Sequence, residues 1–152
     1  MRVSIAAVLA LLVPAALYAQ TAIADLTTAT PLAGTWNYAA NATGSEASFL
    51  NTSALPQLTI RCTKSTRRVT IAKPATGAAA TMTVWTSSAA RAVPASFNPL
   101  TNRITVEIVS NDPLLDSLAF SRGRIGITVA SGPSLVVPAW PEVARVVEDC
   151  RS

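Results

Sequence analysis

The chain has 152 residues, half of them hydrophobic, with 12 Lys+Arg against 8 Asp+Glu and no histidine. That is one domain's worth of sequence with a mild basic balance, too weak to draw in nucleic acid by charge alone. The missing imidazole removes Cys-His and Ser-His catalysis in their ordinary forms, and with it the commonest metal ligand.

The N-terminus opens on Met1-Arg2, runs through an almost unbroken apolar stretch from Val3 to Ala19, and continues as AQTAIAD. A basic start, a short apolar core and a small-x-small site together predict a secretory signal peptide over residues 1–24. Cleavage is expected after Ala24, at Ala22-Ile23-Ala24, or after Ala19. Pro14 interrupts a run already short of the ~20 residues a spanning helix needs, so no transmembrane anchor is expected after processing. The mature protein is thus expected to be periplasmic or secreted. Processing removes Arg2 alone among the charged residues, leaving eleven basic and eight acidic, net +3.

Residues 25–33 (DLTTATPLA) show no period and are expected to form a flexible lead-in to a single β-rich domain over 34–152. From there period-two alternation dominates. TWNYA puts Trp36 and Tyr38 on one face, and SEASFL opposes Ala47 and Phe49 to Glu46 and Ser48. LTIRC and RVTIAK, joined by the polar TKSTR, read as a hairpin with Leu58, Ile60, Cys62, Val69 and Ile71 turned inward. PATGAAA (74–80) has the composition of a mobile hairpin tip. TMTVWT, RAVPASF and RITVEIVS continue the alternation, and Pro94 confines the middle one to a sheet edge.

Beyond residue 110 the period changes. DPLLDSLAFSRG predicts a helix, with Asp112 as N-cap, Pro113 in the first turn and Gly123 just past the end. RIGITVA and SLVVPAW flank Ser131-Gly132-Pro133 as a second hairpin. PEVARVVEDCR predicts a closing helix with Val143, Val146, Val147 and Cys150 on its apolar side. Seven or eight strands with short links and two short helices, one C-terminal, make the chain mainly β. The expected fold is an antiparallel β-sandwich or a curved sheet.

The two cysteines, Cys62 on an inward strand face and Cys150 on an apolar helix face, are expected to form a disulfide in an oxidising compartment. No metal site or cofactor is expected: histidine is absent, both thiols are committed, and no DxDxDG-like run exists. SRGRIG (121–126) lacks the spacing of a phosphate loop and follows a helix instead of preceding one. Two surface hypotheses remain. The basic residues Arg61, Lys64, Arg67 and Arg68 could bind an anionic surface or an acidic envelope protein. The carboxylates Glu46, Glu107, Asp112 and Asp116 are the candidates for a small envelope hydrolase.

The order LTIRC, hairpin, then IGITVASGPSLVVPAWPEVARVVEDC resembles uncharacterised exported proteins of Gram-negative bacteria. More distantly it is similar to the invasion-associated locus B family and to periplasmic accessory proteins of type VI secretion. Members place an L-x-I-x-C strand early and close on a strand, a short helix and a cysteine. The likeness spans about residues 34–151 and implies a periplasmic β-rich domain without established catalysis. The reading that results is a non-enzymatic binding or envelope-assembly module.

Overall fold

Alternating side chains organise the chain from Gly34 to Pro138 into strands that pair antiparallel throughout. The computed structural model describes Leu26 and residues 28–152, and the expected signal peptide lies outside them. The elements are β1 (Gly34–Asn41), β2 (Gly44–Asn51), β3 (Pro56–Thr63), β4 (Arg68–Pro74), β5 (Thr81–Trp85), β6 (Ala90–Pro94), β7 (Ser96–Asn98), β8 (Arg103–Val109), α1 (Pro113–Ala119), β9 (Arg124–Val129), β10 (Leu135–Pro138) and α2 (Pro141–Asp149). The protein is mainly β, as the alternation predicts.

A six-stranded sheet runs β1-β2-β3-β4-β8-β7 and a four-stranded sheet runs β10-β9-β5-β6. Inward residues of both belong to one core: Phe49, Leu58, Ile60 and Ile71 from the larger, Met82, Val84, Ile125 and Ile127 from the smaller. The two sheets differ in width by two strands. At about 4.8 Å per strand that leaves roughly 10 Å, close to the diameter of one helix. The terminal helix α2 takes that space. It packs on β1, β2 and β3, burying Val143, Val146 and Val147, and Cys150 joins Cys62 with a Cα–Cα distance of 5.4 Å. The second layer of the sandwich is therefore part sheet and part helix.

Three local expectations are corrected. RAVPASF is two strands, not one: β6 edges the small sheet, β7 edges the large one, and the chain changes sheets at Pro94-Ala95. Ala95 N–H still donates to Ala80 O at 2.9 Å, so β6 holds to β5 through Pro94, whose missing N–H an edge strand tolerates, and the chain crosses only then. Residues 75–80 likewise join β4 of one sheet to β5 of the other, so PATGAAA is an inter-sheet connection and no hairpin tip. Helix α1 stops at Ala119, capped by Phe120, whose N–H reaches Asp116 O and Leu118 O. Ser121 then spends its hydroxyl on Arg124 O, and Gly123, at φ 80°, turns the chain into β9.

The lead-in has no regular structure, yet it is fastened. Leu32 N donates to Val136 O on the edge strand β10, and Arg124 Nη1 donates to Ala29 O at 2.6 Å. Leu26 is buried against Gly126, where an added Cβ would lie 2.5 Å from Leu26 Cδ1. Bare backbone at 126 is what lets the segment lie down on β9.

Candidate functional site

Segments far apart in sequence meet at one end of the sandwich. The lead-in, the start of β3 at Gln57, the end of β4, the turn at Asn102 and the β9–β10 turn line an open cleft of about 1050 Å³. Most of the wall is Leu, Ala, Val and Pro. Among the described lining residues Lys73 carries the one charge.

Lys73 is only 4 % exposed. Its position follows from the period of β4: Val69, Ile71 and Lys73 alternate onto the inner face, and Lys73 is paired with Ile104 on β8. The ammonium donates to Pro133 O at 3.0 Å, across the cleft from its own strand. Thr76 Oγ1 donates to Ser131 O at 3.1 Å and ties the same turn to the end of β4. Burial pushes the Lys73 pKa below its ordinary value, with no carboxylate offsetting it. Gly132 sits directly above: a Cβ there would stand 4.0 Å from Lys73 Nζ. The arrangement is an apolar cleft with a desolvated cation in its wall. Such a cation has an unmet demand for an anion or for further acceptors.

The basic residues singled out from sequence all lie on the β3–β4 hairpin or its turn. Arg61 stands on the outer face of β3 and pairs with Glu46, Nη2 to Oε2 at 2.5 Å and Nε to Oε2 at 2.7 Å. Lys64 lies in the β3–β4 turn, where its charge helps lower the pKa of Asp149. Arg67 closes that turn at φ 50°. Arg68 starts β4 and borders a second, smaller cleft of about 320 Å³ together with Arg91, Glu107 and Asp112.

The carboxylates are spread and mostly committed. Glu46 and Glu107 share the outer face of the large sheet in one row, Glu46–Arg61–Thr70–Glu107. Three strand spacings separate them, roughly 14 Å, wider than the about 5–9.5 Å of paired hydrolytic carboxylates. Burial pushes the Glu46 carboxyl up, but hydrogen bonds from Ser48 and Arg61, with the charges of Arg61 and Arg103, hold it below its usual value. Asp112 caps α1, accepting from Leu114 N at 2.8 Å, and pairs with Arg91 at 2.8 Å. The Arg91 hydrogen bond is the main reason its pKa is low. Asp116 pairs with Arg151 at 2.6 Å.

A further ionic cluster fastens α2. Tyr38 Oη donates to Asp149 Oδ2 at 2.5 Å, and the Arg145 guanidinium stands 4.6 Å from the Tyr38 ring centroid. Among the described residues no group of three His, Cys, Asp or Glu side chains is placed to hold a metal ion, and no helix is long and apolar enough to cross a membrane.

Lys73 is the residue that sequence reasoning passed over. The signal was present: the alternation that turned Val69 and Ile71 inward continues two residues further to the lysine. No family model, no curated protein and no solved structure matches the chain.

Proposed function

We propose that the chain is a non-enzymatic binding domain, exported to the periplasm or the medium, whose ligand occupies the cleft beside Lys73. One observation carries this: a buried ammonium, without an acidic partner among the described residues, in the wall of a mostly apolar cleft. Ligand sites characteristically combine an apolar lining with a few placed polar groups, and a cavity of this size suits a small organic molecule. The Cys62–Cys150 disulfide favours an oxidising compartment. The resemblance of LTIRC and the closing VVEDC to exported envelope proteins supports the same location. Three of the four candidate hydrolytic carboxylates are engaged in ion pairs, which favours the binding reading over the hydrolase alternative.

The test is native mass spectrometry of the disulfide-bonded protein purified from envelope extract, beside an activity screen on the same sample. A retained small molecule and no turnover is the expected result. Reproducible turnover of an envelope substrate would sink the binding-only reading.

A further inference from the structure

We infer that the cleft takes an amphipathic monocarboxylate, an acyl chain lying along the apolar wall with its carboxylate on Lys73. The inference rests on the binding reading above and adds the chemistry of the ligand.

The charge balance sets the headgroup. Lys73 Nζ makes one hydrogen bond among the described residues, to the neutral Pro133 O at 3.0 Å, and an ammonium has three donors. Among the described residues no acidic side chain lines the cleft. A singly charged anion would neutralise the ammonium and accept its remaining donors. A dianionic phosphate would bring a second charge into the same apolar surroundings with no cation to meet it. A neutral apolar ligand would cover the ammonium and leave it unpaired, which is costly. The monoanion is the species that satisfies both demands.

The walls set the rest of the molecule. Leu26, Leu32, Leu135 and Val136 present aliphatic surface from the lead-in and β10, contributing about 25 cal/mol for each Å² of apolar area they cover. The lead-in forms one side, so a ligand would be held between β4 and a segment without regular structure, whose fastenings include the Leu32 and Arg124 hydrogen bonds and Leu26. That side can shift to admit an acyl chain without breaking a strand pairing.

The experiment is isothermal titration of the disulfide-bonded protein with decanoate and, separately, with decanol, below their critical aggregation concentrations. The wild type is expected to bind decanoate at least tenfold more tightly than decanol. Lys73→Met should abolish that preference by weakening decanoate at least tenfold while decanol binding holds or improves. Gly132→Leu, which fills the space above Lys73 and leaves the lysine in place, should lose both ligands. Circular dichroism checks that each variant is folded, and the wild-type comparison stands without any variant. If decanol binds as well as decanoate, or the preference survives in Lys73→Met, the carboxylate inference is overturned and cleft binding stands. If the wild type binds neither amphiphile, the cleft is no acyl site and the binding reading at Lys73 falls as well.

Discussion

Lys73 occupies a position where Val69 and Ile71 set an apolar precedent; the residue is 4 % exposed, and among the described residues its ammonium has one acceptor, the neutral Pro133 O. A residue kept for stability would not carry an unpaired charge there, because desolvating an ion costs several kcal/mol that one carbonyl does not return. Lys73→Met should therefore leave the melting temperature unchanged or raise it, and a loss above about 2 kcal/mol in chemical denaturation would argue for a structural lysine. The Tyr38–Asp149 pair predicts the opposite. The hydrogen bond from Tyr38, ahead of burial in the other direction and the charges of Lys64 and Arg145, holds Asp149 below its ordinary 3.8. A depressed folded-state pKa gives stability that is complete above the unfolded value and lost as the pH falls through the folded one. Tyr38 is raised above its ordinary 10.0, first by the hydrogen bond to Asp149, so its share is intact below pH 10 and lost in alkali. Tyr38→Phe should cost about 1 kcal/mol at pH 7, discounted for partial exposure. The deficit against wild type should shrink at pH 3, and an equal deficit at both pH values would refute the linkage.

Elements show which features the residues announced and which they could not. The strands, both hairpins, the Asp112 cap and the apolar face of α2 were legible, because alternation, turn chemistry and helical period are local properties. Which sheet a strand joins is not local. RAVPASF carries one uninterrupted alternation across Pro94, yet β6 and β7 lie in different sheets, so its period alone could not reveal the crossing. The cleft was hidden for the same reason: residues 26, 29, 30, 32, 57, 73–76, 102 and 132–136 meet only after both sheets have formed. Lys73 was legible in phase, two residues beyond Ile71 on β4. The lead-in was read from composition as loose, and no pattern in DLTTATPLA shows that Leu26 finds bare backbone at Gly126. That contact makes a prediction about the element. A Cβ at 126 would stand 2.5 Å from Leu26 Cδ1 and 3.2 Å from Trp85 Cβ, so Gly126→Ala must displace the lead-in. The expected cost is about 1–3 kcal/mol, with faster hydrogen exchange at Leu32, whose N–H bonds Val136 O. Unchanged exchange at Leu32 would mean that the segment is held without Leu26.

At the scale of the molecule, the layer opposite the large sheet is divided between the small sheet and α2, and the Cys62–Cys150 bond spans that division. It ties an interior strand of the six-stranded sheet to Cys150, the C-cap of α2, across a sequence separation of 88. Constraining a loop of that length in the unfolded chain is worth about 4–5 kcal/mol in the chain-entropy model. A domain of this size has about 5–15 kcal/mol in total. Reduction should therefore leave the protein folded but with little margin. The helix would still bury Val143, Val146 and Val147, and Arg151 would still reach Ser110 O at 2.7 Å and Asp116 at 2.6 Å. Urea denaturation with and without reductant measures the difference. The reduced protein should show a lower midpoint and a larger denaturant slope, because an unfolded chain without the cross-link exposes more surface. Cys62→Ser should match the reduced wild type to within about 1 kcal/mol. A shift below about 1 kcal/mol in both would mean that α2 is held by its packing alone. A full shift would make the domain's stability depend on the redox state of its compartment.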